Sequence, residues 1–136
     1  MNRLIIKNGL LLDPANKLNR PADLYIENGH IAAIDNAPDD FKAEQTIDAK
    51  GLTVIPGIVD LCARLREPGQ EYKATIQSET IAAAMSGITT LCCPPDTDPV
   101  IDEPAVVELI HHKAMDAAHS NVLMLGALTT GLKGEL

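Results

Sequence analysis

The chain has 136 residues, of which 46% are hydrophobic and only 2% aromatic, so its core must be built from aliphatic side chains. Nineteen acidic residues against 11 basic ones give a net charge of −8, which argues against binding to nucleic acid or to an anionic membrane surface. Three cysteines without a CxxC pair indicate a reduced protein. No signal peptide and no apolar run of membrane-spanning length is visible, so we expect a soluble cytoplasmic protein.

Residues 1–55 are predicted to form a small β region that serves as a platform. Asn8-Gly9 and Asn28-Gly29 each lie between apolar runs, and this dipeptide favours a tight hairpin turn. Short strands are also predicted at 46–48 and 52–55. The region carries no candidate site.

From Pro56 onward the pattern changes to alternating strands and helices, typical of an α/β fold with parallel strands. The predicted elements are a buried strand at 58–61, a helix at 75–86 stopped by Gly87, a strand at 88–92, a helix from the N-cap Asp102 through Pro104 to about Ala118, and a strand at 121–127. Helical spacing places Leu109 and Lys113 with the apolar residues that face the sheet. Three parallel strands cannot close into a barrel, so an unpaired edge is expected.

A polar loop after the strand at 58–61 holds the candidate chemistry. If the strand persists, alternation places Asp60, Cys62, Arg64 and Arg66 on one face. The ends of such strands are where α/β folds usually place their active sites.

Three stretches carry a family resemblance. Residues 56–73, PGIVDLCARLREPGQEYK, resemble the first barrel strand of dihydroorotases, in the amidohydrolase superfamily. Residues 87–102, GITTLCCPPDTDPVID, resemble the second conserved block, and 126–136 are similar to the third-strand region. The resemblance extends over the whole of this chain, which corresponds to only the first third of a family member. It implies a β-sandwich portion at 1–55, then the first three strands and two helices of a metal-dependent-hydrolase (β/α)8 barrel at 56–136. That barrel is incomplete here, because a full one needs about 250 residues.

The chain departs from the family at the metal ligands. Dihydroorotases carry His-x-His where this chain has Cys62-Ala63-Arg64. A guanidinium has no free lone pair and stays protonated, so Arg64 cannot replace a histidine ligand. Cys62 alone supplies one ligand, which does not make a zinc site. We therefore expect no metal and no cofactor here, whereas active relatives use zinc.

The substrate-binding positions look half preserved. By the resemblance, Arg66 falls on the arginine that pairs with the substrate carboxylate, and Asp96 replaces an asparagine that contacts the same carboxylate. A carboxylate at 96 would repel that substrate. Asp96 could instead pair with Arg64 or Arg66, or the charges of Arg64 and Asp96 could simply be solvated.

Other candidates carry weaker signals. Cys62 beside Arg64 could be an activated thiolate, although a small buried residue is the simpler interpretation. Cys92 and Cys93 are expected to pack rather than react. His111 and His112 point about 100° apart on a helix, so they cannot chelate one ion.

The resemblance implies the N-terminal part of a non-catalytic dihydroorotase-like protein of pyrimidine biosynthesis. Inactive homologues in some bacteria support aspartate transcarbamoylase assembly, so the expected partner is that enzyme's catalytic chain, within an oligomer. One alternative is an active amidohydrolase that hydrolyses a cyclic amide with metal ligands beyond Leu136. Another is a truncated remnant without function.

Overall fold

A computed structural model describes residues 2–117 and 119–134 of the chain. The chain divides into two compact units, Met1–Pro56 and Gly57–Leu136. The prediction that these units are a β-sandwich portion and a barrel portion stays a prediction. Across the described residues, none of the helices has both the length and the apolar character needed to cross a membrane.

The first unit contains one sheet of five strands. These are β1 (Arg3–Asp13), β2 (Leu18–Glu27), β3 (His30–Ile34), β4 (Gln45–Asp48) and β5 (Thr53–Val54). The order is β3-β2-β1-β4, with β5 also paired to β1. β2 is antiparallel to β1 and β3, whereas β4 and β5 run parallel to β1.

Of the two predicted Asn-Gly turns, one is confirmed and one is wrong. Asn28 and Gly29 have φ angles of 52° and 79° and join β2 to β3, as a tight hairpin requires. Asn8 and Gly9 instead lie inside β1, where the register against β2 shifts. A Cβ atom on Gly9 would lie 2.7 Å from Cγ2 of Val54, so the glycine permits the close approach of β5.

The second unit is mixed α/β, as predicted. Its elements are β6 (Ile58–Asp60), α1 (Ile76–Met85), β7 (Ile88–Cys93), α2 (Pro104–Ala117), β8 (Asn121–Met124) and a 3-10 turn (Thr130–Leu132). The three strands are parallel, in the order β6-β7-β8. The predicted end of the second helix at Ala118 lies outside the described residues.

Helix α1 begins at a capping box. The Thr75 hydroxyl accepts a hydrogen bond from the Ser78 amide (3.2 Å), and the Ser78 hydroxyl accepts one from the Thr75 amide (3.0 Å). Gly87, with φ of 81°, ends the helix as predicted.

The predicted N-cap of the second helix is wrong. Helix α2 begins at Pro104, and Asp102 accepts a hydrogen bond from the Gly131 amide instead (2.7 Å). Asp102 therefore fastens the segment after β8.

The core of this unit lies between the helices and the sheet. Helix α2 buries Val106, Ile110, Ala114 and Ala117. Leu109 and Lys113, predicted to face the sheet, lie on the flank of this stripe and are exposed. The remaining buried members of the cluster are Leu65, Ile76, Ala83, Leu91, Cys93 and Ile101.

Strand β6 is not buried, contrary to the prediction. Ile58 and Val59 are about half exposed, because within the described part of the chain β6 pairs only with β7. β8 likewise pairs only with β7 there, so both outer strands are edges, as an unclosed sheet requires.

Candidate functional site

The loop after β6 leaves the strand earlier than predicted. Asp60 accepts a hydrogen bond from the Cys62 amide (2.9 Å), a local turn that ends the strand. The Ala63 amide then donates to the Cys92 carbonyl (2.9 Å), which keeps the loop beside β7. The predicted common strand face of Asp60, Cys62, Arg64 and Arg66 therefore does not form, and another geometry brings Arg64 and Arg66 together with Asp96.

An ion pair joins the ends of β6 and β7. Arg64 Nε donates to Asp96 Oδ2 at 2.8 Å, with both side chains about half exposed. Of the two interpretations that the sequence left open, the structure bears out the ion pair and assigns it to Arg64. The hydrogen bond that Arg64 donates to Asp96, followed by the negative charge of that carboxylate, raises the pKa of Arg64.

Arg66 follows on the same loop in a left-handed conformation. Its φ is 67°, its side chain is exposed, and its carbonyl accepts a hydrogen bond from the Gln70 amide (2.8 Å). Within residues 2–117 and 119–134, its guanidinium forms no ion pair. Among the described residues, therefore, Arg64 is paired with Asp96 and Arg66 has no ion-pair partner.

The loops that carry Arg66 and Asp96 are packed against each other. The Asp98 amide donates to the Pro68 carbonyl (3.3 Å). A Cβ atom on Gly69 would lie 2.5 Å from the Asp98 carbonyl oxygen, and its φ of 100° also favours glycine. Arg64, Arg66 and Asp96 consequently line one cleft of about 20 Å³, which is room for about one water molecule.

Cys62 and Arg64, the residues that the resemblance predicts at metal-ligand positions, do not fit a divalent cation. Arg64 offers no lone pair and is already paired with Asp96. Cys62 lies in a neighbouring open cleft of about 480 Å³ together with Asp60, Arg64 and Arg66. In the part of the chain that the structure describes, no three His, Cys, Asp or Glu side chains are grouped so that they could hold a metal ion.

Sequence reasoning missed Glu67, the buried anchor of this loop. Its carboxylate accepts a hydrogen bond from the Ile76 amide at the start of α1 (2.8 Å). The same carboxylate forms an ion pair with Lys113 of α2. The available signal was Lys113 itself, a lysine within a predicted apolar helix face. Glu67 thus ties the Arg66 loop to both helices.

Replacing Glu67 with glutamine should destabilise the chain by about 1.5–3 kcal/mol, the usual worth of hydrogen bonds to a charged group. Pairing with Glu67 raises the pKa of Lys113. The ion pair therefore stabilises the fold below the ordinary lysine pKa of about 10.4, and this stabilisation is lost as the pH rises through the raised value. Urea denaturation from pH 7 to pH 11.5 should show the variant's deficit shrinking at the alkaline end. Glu103→Gln, an exposed position just before α2, is the control; a deficit independent of pH would contradict the ion pair's part.

The three cysteines differ in exposure. Cys92 and Cys93 are buried, as predicted, whereas Cys62 is exposed, which corrects its interpretation as a small buried residue. Burial raises the pKa of Cys93.

Iodoacetamide at pH 8 should therefore modify Cys62 at least about tenfold faster than Cys92 or Cys93, because the thiolate that attacks the reagent must be both formed and accessible. Peptide mass spectrometry gives the three rates separately, and equal rates would contradict the burial; Cys62→Ser is the control for site assignment.

The chain is similar to a known protein family, to curated proteins and to solved structures. A family model described as dihydro-orotase-like matches residues 51–136. The dihydroorotase-like protein of Pseudomonas aeruginosa is 50% identical over 130 residues, which cover 96% of this chain and 31% of that protein. The dihydroorotase of Syntrophotalea carbinolica is 44% identical over 133 residues, covering 98% and 31%. The structure of L-hydantoinase (dihydropyrimidinase) from Arthrobacter aurescens is similar with a TM-score of 0.83 and 26% identity, covering 95% of this chain and 28% of that one. The chain thus spans about a third of the length of these curated relatives.

Proposed function

The chain belongs to the dihydroorotase-like family, and from this membership we propose that it is the N-terminal part of a non-catalytic protein of pyrimidine biosynthesis. Its role is structural: the longer protein supports the assembly of aspartate transcarbamoylase by binding that enzyme's catalytic chain within an oligomer. The partner is taken from the resemblance to inactive homologues with that role.

The Arg64–Asp96 ion pair is the observation that carries the proposal. By the resemblance, active relatives carry histidines at the positions of Cys62 and Arg64, and neutral imidazoles bind zinc through their lone pairs. Here one of these positions carries a fixed positive charge that is hydrogen-bonded to Asp96 at 2.8 Å. A cation placed there would meet a like charge and lose two of its ligands.

The packing around the site favours a maintained scaffold over a decayed remnant. Leu65 is fully buried between the two arginines, and Glu67 links the loop to both helices. Among the described residues, every buried side-chain nitrogen and oxygen atom has a hydrogen-bond partner. An unsatisfied buried donor or acceptor would cost about 1–3 kcal/mol, so the described fold carries no such penalty at these atoms.

The test uses the longer natural protein that contains this segment. Metal analysis after purification is expected to give no stoichiometric zinc, and dihydroorotate turnover should be absent. Size-exclusion chromatography with the aspartate transcarbamoylase catalytic chain should give a stable co-eluting complex. Co-elution lost on removing this segment supports the scaffold, and an unchanged free catalytic chain in the mixture contradicts it.

A working amidohydrolase is the second candidate. The relative from Syntrophotalea carbinolica carries the name dihydroorotase, and Arg66 retains the residue type that pairs with a substrate carboxylate. In this case the metal would be held by ligands beyond Leu136 alone. Zinc bound at one equivalent or more, together with dihydroorotate turnover, would support this candidate.

A further inference from the structure

The chain contains two Asn-Gly dipeptides, at 8–9 and 28–29. Asparagine is a chemically labile residue, and a following glycine favours loss of the side-chain amide. The reason is steric, because glycine has no Cβ that would hinder attack by its own backbone nitrogen on the asparagine side chain. Both sites share these two residues, so their reactivity is distinguished mainly by the fold around each.

Asn28 and Gly29 are exposed at the tip of the hairpin between β2 and β3. Apart from its chain neighbours, no atom lies within 4 Å of the position that a Cβ on Gly29 would occupy. Asn28 Oδ1 accepts a hydrogen bond from the Asn2 amide (3.3 Å), whereas the Asn28 side-chain nitrogen donates to no group among the described residues. Exposed turns open at little cost in free energy, so the Asn28 side chain has access to the Gly29 nitrogen.

Asn8 is held in place on both sides. Its Nδ2 donates to Asp48 Oδ1 (2.9 Å), and its backbone amide donates to Asp23 Oδ1 (3.0 Å). Gly9 is buried within β1 and lies opposite Ala22 of β2. β1 has β2 on one side and β4 and β5 on the other, and opening an interior strand costs a large part of the free energy of unfolding. The same reaction at Asn8 therefore requires β1 to open first.

We propose that Asn28 is a site of spontaneous modification to aspartate and isoaspartate, and that the fold protects Asn8 from the same reaction. The Gly29 nitrogen loses its proton and attacks Cγ of Asn28, while the side-chain nitrogen gains a proton and leaves as ammonia. One water molecule then opens the resulting five-membered imide. Opening at the side-chain carbonyl gives aspartate, and opening at the backbone carbonyl gives isoaspartate. The reaction is independent of the structural role proposed above.

The modification changes both the charge and the backbone of the hairpin. It adds one carboxyl group, which is ionised at pH 7. Isoaspartate also routes the main chain through the side-chain carboxyl and so lengthens the turn. Because the turn fixes the register of a hairpin, β3 should loosen from β2, which is its only partner within the described residues.

The test follows both sites by peptide mass spectrometry while the 136-residue chain is incubated at pH 8. Conversion of an amide to a carboxyl group raises the peptide mass, and chromatography separates the aspartate and isoaspartate peptides. In the folded chain Asn28 should convert at least about tenfold faster than Asn8, because only the reaction at Asn8 requires a strand to open. In guanidinium chloride the two rates should agree within about threefold, since the fold no longer distinguishes the sites.

Asn28→Gly is the matched control, because it removes the reactive side chain while Gly-Gly still suits the same tight turn. It should abolish conversion at position 28 and leave the rate at Asn8 unchanged. Hydrogen exchange after the same incubation should be faster at residues 30–34 of the original chain than in this variant, and equal exchange would contradict the loosening of β3. Equal or reversed rates at the two asparagines of the folded chain, or no conversion of Asn28, would overturn the proposal. Zinc content and co-elution report separately on the structural role.

Discussion

Zinc binding should return when both Cys62 and Arg64 are replaced with histidine in a longer protein that carries the downstream ligands. The change supplies two neutral imidazoles and removes a fixed positive charge, and both effects favour a divalent cation. It leaves Asp96 without its ion pair, which costs little because that carboxylate is exposed and stays solvated. Metal analysis after exhaustive dialysis should show about one zinc or more per chain, against none in the wild type.

Two controls make this result interpretable. Cys62→Ala with Arg64→Ala breaks the same ion pair but supplies no ligand, so zinc should remain absent. The 136-residue chain with both histidines should also fail to retain zinc through dialysis, because two ligands do not complete a tetrahedral site. If the longer protein with both histidines also fails to bind zinc, the proposal that only positions 62 and 64 prevent metal binding is wrong.

Replacing Leu65 with alanine should destabilise the 136-residue chain by about 2–5 kcal/mol. Leu65 is 1% exposed and packs in the core although it lies between two exposed arginines. Its truncation leaves a cavity under the loop that carries Arg64 and Arg66. Equilibrium urea denaturation measures the effect, and the midpoint should fall while the slope stays constant.

Leu61 provides the matched control on the same loop. It is the same residue type but 73% exposed, so Leu61→Ala should change stability by less than about 0.5 kcal/mol. Equal losses for the two variants would contradict the burial of Leu65.

Local signals predicted most of the elements correctly. Asn28-Gly29 needs positive φ angles that few other dipeptides tolerate, Gly87 ends α1 for the same reason, and Pro104 begins α2. Each of these depends on the conformation of one to four adjacent residues. The alternation of strand and helix after Pro56 is similarly local, because periodicity is set by neighbours along the chain.

Three of the errors involve partners distant in the sequence. The Asn8-Gly9 dipeptide predicts a turn, because nothing in the sequence near position 9 indicates the contact with Val54. Aspartate is a favoured N-cap residue, but the Asp102 carboxylate accepts a hydrogen bond from the Gly131 amide, which lies 29 residues further along the chain. Glu67 was overlooked because its partner Lys113 lies 46 residues further on.

The sequence alone determined what chemistry the site lacks. A protonated guanidinium has no free lone pair in any fold, so the residue type alone excludes Arg64 as a metal ligand. Which of the two arginines binds Asp96 was decided only by tertiary structure. The 32-residue separation between Arg64 and Asp96 is spanned by the parallel pairing of β6 with β7, and that pairing aligns the two strand ends. Long-range pairing of this kind depends on the packing of the whole unit, and no stretch of sequence around either residue encodes it.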